Sequence, residues 1–369
     1  MHILIDGRMI SNTGIGRWLQ NVVIHLNGLA SDHNITVMVN RNSQTVRSFG
    51  LPTRKLRFSA PSYSIREQVF LPLELGSDQP DVVHYPNFNM PLMSRIPAVL
   101  TLCDLIYYRF RRACPSWIGY TYAKVMIPAA VRKARRMITI SEYSKNDLIK
   151  YLGCSPSKIS VVYPGIDPGM FRSNYDPQDV ALATSKLGIR KPYIFYTGNH
   201  EPRKNLLLLV EAYRRLGRNS AYQLVLGGRI DARQHALYES VRDLVAKRDV
   251  ILCGEIPEPD LPLLYAGAEL FVFPSTYEGF GLQPLEAMAA GVPVICSSAT
   301  SLPEVVGDAA LTFAPDDIEA LVSAMKDILE SKLLASELRD KGRARSQCFS
   351  WDVAAKQIMN IYEDVAAAS

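Results

Sequence analysis

Residues 274–293 read PSTYEGFGLQPLEAMAAGVP, with Glu278 and Glu286 eight positions apart across a glycine-rich loop that becomes a helix. Each residue type there suits a separate task. Carboxylates bind hydroxyl groups, while Gly279 and Gly281 remove side chains where main chain must touch a ligand. The run Pro284 to Ala290 is strongly helical and puts Glu286 in a first turn, where N–H groups and the dipole favour a bound phosphate. Alone, the segment favours that ligand-binding reading over a plain turn and capped helix, and the rest of the chain decides.

Working outward, the segment follows LFVFPS, an apolar run that reads as a buried strand. PYIFYTGN, YQLVLGG and VILCGEI before it and VPVICSS after it read the same way, with helical stretches between, which makes five strands. A similar series opens the chain. HILID is followed by a loop carrying Gly14 and Gly16 and by an amphipathic helix from Arg17 to about Leu29; ITVMVN, DVVHYP, AVLTLCDL and MITISEYSKNDLIKYLG continue the pattern. Such alternation predicts parallel sheets with helices on both faces. The stretch PGIDPGMFRSNYDPQ reads as the linker between two doubly wound domains, 1–175 and 176–350, and WDVAAKQIMNIYEDVA forms a last helix. A length of 369 residues independently predicts two domains.

With 48% hydrophobic and 21% charged residues and no low-complexity tract, the chain is globular. No apolar run reaches the roughly 18 to 20 residues of a membrane helix, and the chain enters a strand at once without a signal peptide, so the expected location is the cytoplasm. The six cysteines lack C-x-x-C or histidine pairing, which argues against zinc and a disulfide framework. Net charge is uneven. Residues 1–180 hold 21 Lys+Arg against 12 Asp+Glu, whereas residues 181–369 hold 20 against 24. A basic first half suits an anionic partner, a polyanion or a membrane headgroup region, or simply a solvated surface. Arg109–Arg112 and Arg132–Arg136, with Trp117, Tyr120 and Tyr122 between them, suit a membrane surface better than nucleic acid, and solvated helix faces better than either.

Gly14 and Gly16 in TGIGRW are placed to bring amides near a phosphate or an acceptor. A dinucleotide fingerprint needs a third glycine at position 19, which is leucine, so NAD is disfavoured. In YTGNHEPRKNLLLLVEAY, Arg203 and Lys204 sit between a strand and a helix opening at Asn205, where two cations suit a diphosphate leaving group; Lys204 is expected to open an exposed helix.

The E-x7-E segment resembles that of the retaining glycosyltransferases of family 4, and the likeness extends from the first strand to the last helix. It implies the α/β GT-B fold, two Rossmann-like domains facing a cleft, with the last helix, 351–369, crossing back onto the N-terminal, acceptor-binding domain. By resemblance, Glu278 faces the donor sugar and Glu286 takes the ribose hydroxyls. Amides near Gly281 and Leu282 approach the diphosphate, with Gly279 and Phe280 in the same loop. Arg203 and Lys204 inherit the phosphate role, and main chain around Gly254, Glu255 and Ile256 edges the nucleobase. Two departures stand out: Gly198 and Asn199 occupy a place where the family often has a further arginine, and Cys103 precedes Asp104 where it usually has histidine. A thiol cannot replace an imidazole's hydrogen bonds or charge, which leaves Asp104 to orient a hydroxyl and His84 and His200 as alternative imidazoles.

The resemblance implies metal-independent transfer of a hexose with retention, with no D-x-D tripeptide to hold a metal and no cofactor beyond a GDP- or UDP-linked donor. Mannose from GDP-mannose is the favoured donor. The acceptor would be a glycan or a lipid-linked oligosaccharide in cell-surface polysaccharide synthesis, with peripheral contact at the inner face of an anionic membrane and no nucleic-acid partner. A catalytically silent nucleotide-sugar-binding partner of another transferase, and a nucleotide-dependent epimerase or dehydrogenase, are the rival readings.

Overall fold

The apolar run Ile3–Ile5 is wholly buried as the middle of strand β1 (His2–Asp6). Next to it in the chain, the helix Ile15–Leu29 turns Trp18, Leu19, Val22, Val23 and Leu26 inward, the i, i+4 stripe that seats a helix on a sheet. The computed structural model describes residues 1–12, 14–29, 33–40, 54–58, 63–114, 116–190, 192–217 and 221–368. They form two units: Met1–Gly165 with Ser350–Ser369, and Ile166–Phe349. The chain passes between them inside the Pro/Gly-rich stretch, at Gly165/Ile166 rather than after residue 175. Part of that stretch is already helix, because Asp176 caps the helix Pro177–Lys186.

Among the described residues the first unit holds a seven-stranded parallel sheet. Its order is β3 (Arg54–Phe58), β2 (Asn34–Asn40), β1, β4 (Val82–Tyr85), β5 (Ala98–Thr101), β6 (Arg136–Thr139), β7 (Ile159–Val161). Ile3 pairs with Ile35 on one side and Val82 on the other, so the order reverses direction between β1 and β4. The helix Trp351–Ala367 belongs to this unit and packs on the helix Ile15–Leu29 and on β4 and β5. Its buried Tyr362 hydroxyl lies 2.5 Å from His84 Nδ1. Gly165 admits this helix closely, since a Cβ there would stand 2.1 Å from the Trp351 nitrogen.

Among its described residues the second unit has a six-stranded parallel sheet ordered β10 (Val250–Gly254), β9 (Gln223–Gly227), β8 (Tyr193–Thr197), β11 (Leu270–Phe273), β12 (Val294–Ser297), β13 (Leu311–Phe313). Strands β8, β9, β11 and β12 are buried throughout, the mark of a sheet covered on both faces. Tyr196, Phe273 and Phe271 stack along it, with centroids 6.1 Å apart at each step. Strand order reverses between β8 and β11, and ligands of doubly wound sheets sit outside the carboxyl ends at such a switch point.

Three strands escape the sequence reading: β3, β7 and β13. All are sheet edges. RKLRF is mostly basic, and ISV and LTF are three residues each, so none shows an apolar run.

Candidate active site

The loop after β8 carries Gly198 to Lys204 and the loop after β11 carries Pro274 to Gly281, so the switch point brings together the two motifs singled out in the sequence. The loop after β9 joins them. Gly228 adopts φ +122°, and a Cβ there would lie 2.0 Å from the Gly198 carbonyl oxygen, so only glycine lets these two backbones meet. Residues Pro202–Lys204 make one 3-10 turn that ends at Asn205, left-handed at φ +56°, which caps the helix Leu206–Arg215.

That turn aims both cations at one carboxylate. Lys204 Nζ lies 2.6 Å from Glu278 Oε1, and Arg203 Nη1 lies 2.8 Å from Oε2. Ser275 adds a hydroxyl donated to Oε1 at 2.6 Å, and Lys204 sits 4.7 Å from the Phe273 ring centroid. Backbone locks the two loops together, because the Thr276 amide donates to the Arg203 carbonyl at 2.8 Å and Arg203 Nη1 donates to the Tyr277 carbonyl at 2.9 Å. Thr300 and Ser301 buttress the far side: Thr300 Oγ1 accepts from the Glu278 amide at 3.0 Å, and Ser301 donates to the Glu278 and Phe280 carbonyls.

Burial would push the Glu278 carboxyl up, but attraction to Lys204 and Arg203 and its hydrogen bonds outweigh that and hold it near 2. It is a carboxylate at neutral pH. With both oxygens engaged by cations and Ser275, it is poorly placed to act as a covalent nucleophile.

The expectation that Lys204 opens an exposed helix is wrong. The residue is 4% exposed and its charge is matched by Glu278. Arg203 is shared between Glu278 and Glu201, the latter at 2.8 Å, so two cations face two carboxylates and the cluster is neutral. Sequence shows the residue types; it does not show that the cations already have partners.

The helix after the glycine loop runs Leu282–Ala289, opening two residues before Pro284. Glu286 is therefore in its second turn rather than its first, 1% exposed, with Oε2 accepting from the Tyr265 hydroxyl at 2.9 Å. Gly281, at φ +102°, precedes Leu282, and no side chain caps the helix. Gly279 and Phe280 are buried. Gly254, at φ +66°, ends β10, with its carbonyl accepting from the Gly228 amide at 2.6 Å; Glu255 is exposed and Ile256 half-buried. Beside them, Asn199, Glu201, Arg229, Asp231 and Arg233 line a polar recess of about 250 Å³.

The sequence reading missed Ser275, Tyr265, Thr300, Ser301 and Arg229. Their signal was faint: hydroxyl residues beside E-x7-E and in the SSATS run after β12, and the arginine after Gly227–Gly228.

The remaining candidates lie in the first unit. Cys103 and Asp104 follow β5. Burial pushes the Cys103 thiol up to about 12, Asp104 adding to it, so it stays neutral. Asp104 Oδ1 accepts from the Ile106 amide at 2.8 Å, opening a short helix. His84 is a core residue between Tyr362 and Thr101, and burial lowers its pKa to about 3. His200, in the second unit, is fully buried against Tyr238. Neither histidine presents an imidazole to solvent. Gly16 spends its amide on the Asn12 carbonyl at 3.0 Å, and a Cβ there would stand 2.5 Å from the Ile10 carbonyl oxygen, so its smallness serves packing rather than phosphate. Gly14 turns the chain at φ +70°.

Of the basic stretches, Arg109 pairs with Asp147 at 2.8 Å, Arg135 donates to the Ala368 carbonyl, and Arg111 lies over the Trp117 ring. Trp117 and Ile118 are 68% and 82% exposed. Among the described residues, no helix is long and apolar enough to cross a membrane and no metal-ligand cluster occurs.

A doubly wound unit with a Lys–Glu–Arg cluster at its switch point and a glycine loop leading into a helix is the arrangement expected of one half of a GT-B glycosyltransferase. The family models agree: glycosyl transferases group 1 matches residues 182–345 and glycosyltransferase family 4 matches residues 13–169. The O-antigen chain mannosyltransferase B of Escherichia coli is 32% identical over 292 residues, 76% of this chain and 74% of that protein. The alpha-maltose-1-phosphate synthase of Mycolicibacterium smegmatis is 30% identical over 75% of each chain. The chain belongs to the family 4, group 1 glycosyltransferases. Among solved structures, a glycosyltransferase of Rickettsia africae superposes with a TM-score of 0.81 at 16% identity, covering 100% of this chain and 99% of that one. Anabaena Alr3699/HepE, solved with UDP and glucose, gives 0.80 at 19% identity over 99% and 100%; at such identity the likeness shows the fold.

Proposed function

We propose that this glycosyltransferase moves a hexose from a nucleotide-sugar to a glycan or lipid-linked acceptor in cell-surface polysaccharide synthesis, with retention at the anomeric carbon. The observation that carries the reading is the cluster at the β8/β11 switch point, where Glu278 is ionised, buried and held by Lys204 and Arg203. The leaving diphosphate brings negative charge to this place. Arg203, a quarter exposed, can turn from Glu201 to a phosphate oxygen, while Lys204 and Glu278 fix the loop and the sugar. Since Glu278 is not poised as a nucleophile, departure of the diphosphate and acceptor attack on the same face fit better than a glycosyl-enzyme.

Mannose is the favoured sugar, because the relative with the higher identity of the two above is named a mannosyltransferase. The other relative is named for a different product, so GDP-mannose competes with UDP-linked sugars in the test. A thermal-shift screen of GDP-mannose, UDP-glucose, UDP-galactose and NAD decides. Stabilisation by about 2.7 kcal/mol at 100 times the dissociation constant is expected for one nucleotide-sugar. Response to NAD alone would favour the epimerase or dehydrogenase reading. The exposed Trp117 and Ile118 beside Arg111 and Arg112 support peripheral contact with an anionic membrane. Vesicle binding that weakens with salt is expected, and sedimentation indifferent to salt and lipid charge contradicts it.

A further inference from the structure

Lys204 and Arg203 are already matched by Glu278 and Glu201, so the cluster at the β8/β11 switch point brings no net charge to a diphosphate. Attracting an anion needs a cation that the protein has not itself neutralised. The polar recess of about 250 Å³ beside the cluster supplies one.

Four charged side chains line that recess: Glu201, Arg229, Asp231 and Arg233. Three of them are committed. Glu201 takes Arg203 Nε at 2.8 Å, and Arg233 holds Asp231 through Nε at 3.0 Å and Nη2 at 2.5 Å. Arg229 differs, because its guanidinium makes no hydrogen bond or ion pair among the described residues and acts on Asp231 only through space. Its side chain is exposed, yet its backbone is fixed. The His200 amide donates to the Arg229 carbonyl at 2.9 Å. The Asp231 amide donates at 3.2 Å to the Tyr238 hydroxyl, which also lies 3.0 Å from His200 Nδ1. Buried His200 thus ties the loop after β8 to the loop after β9 at the residue that carries the uncommitted cation.

We propose that Arg229 binds the donor's diphosphate, with the recess seating the phosphate that bears the sugar between Arg229 and Arg203. The proposal rests on the transferase reading, which calls for a nucleotide-sugar. Arg203, Lys204 and Arg229 against Glu201 and Glu278 leave one net positive charge, and Arg229 accounts for it. The guanidinium fork takes two oxygens of one phosphate, and the Asn199 amide in the same lining has donors for another. Glu201 repels the phosphate, so removing the cation at position 229 leaves a seat that no longer attracts it.

The test is calorimetry on the full chain with GDP, UDP, GMP, UMP and farnesyl diphosphate, the last carrying the same group on a lipid, as a lipid-linked acceptor would. GDP or UDP is expected to bind more tightly than its own monophosphate. Arg229→Met should weaken that diphosphate about fivefold or more, in the range of one charge-assisted hydrogen bond, and the monophosphate less than about twofold. Arg229→Lys keeps the charge and should hold diphosphate affinity within about twofold of wild type. Arg242→Met removes an exposed charge on the helix His235–Ala246, outside the recess, and should leave affinity within the same range. Unchanged diphosphate affinity in Arg229→Met, an equal loss for diphosphate and monophosphate, or an equal loss in Arg242→Met or Arg229→Lys overturns the proposal. Dependence on Arg229 seen with farnesyl diphosphate and not with GDP or UDP assigns the recess to a lipid diphosphate and overturns it equally. A chain that binds neither GDP nor UDP nor their sugars overturns the transferase reading as well, whereas nucleotide binding indifferent to position 229 overturns the role of Arg229 alone.

Discussion

Replacing Glu278 with glutamine keeps shape and removes charge, leaving the buried Lys204 without its counter-ion and Arg203 with Glu201 alone. Attraction to these cations lowers the Glu278 carboxyl from 4.5 to about 2. At about 1.4 kcal/mol per unit, that drop corresponds to about 3 kcal/mol at neutral pH, in the range expected for breaking a buried pair. For a unit the size of Ile166–Phe349 the melting temperature should fall by about 6–12 °C, without loss of the fold. The sign with pH follows from the lowered value. A depressed carboxyl stabilises fully above its unfolded pKa and loses that contribution as pH falls toward its folded one. The gap between wild type and Glu278→Gln should therefore shrink from about 3 kcal/mol at pH 7 to about 1 near pH 3. Denaturant unfolding of both proteins at the two pH values measures it. A gap below about 1 kcal/mol at pH 7, or one that does not narrow in acid, refutes the ion-pair account.

Lys204→Ala should cut turnover by roughly 100- to 1000-fold and, because the residue is buried, also destabilise by about 3 kcal/mol; steady-state rates and unfolding curves check both. Glu286→Ala orphans the Tyr265 hydroxyl and, if the carboxylate holds ribose, should raise donor KM with little change in kcat; a fall in kcat alone contradicts that role. Cys103→His should change turnover by less than about tenfold, because the neutral thiol is not a working acid or base, and a hundredfold change in either direction in kinetic assay contradicts this.

Strands with apolar runs were legible in the sequence because a sheet covered on both faces leaves nothing polar to interrupt them. The edges β3, β7 and β13 were not, since an edge strand is short or charged. Arg203, Lys204 and Glu278 were legible as a set, but their mutual pairing was not, because residues 203 and 278 meet only when β8 and β11 lie side by side. For the same reason Glu67 gave no sign of its ion pair with Arg8, far back in the chain. Gly16 looked like a phosphate glycine and proved to be a packing glycine, a distinction that lies in the Ile10 carbonyl oxygen it faces.

Transfer of a sugar from a nucleotide-sugar with its anomeric configuration kept leaves a direct signature in the product, read by time-resolved proton NMR as the purified chain acts on an α-linked donor such as GDP-mannose and an uncharged methyl glycoside. Retention gives an α-linked glycoside as the first product, formed without an inverted intermediate in solution; a β-linked product, or no transfer from any nucleotide-sugar that binds, rules the proposed reaction out.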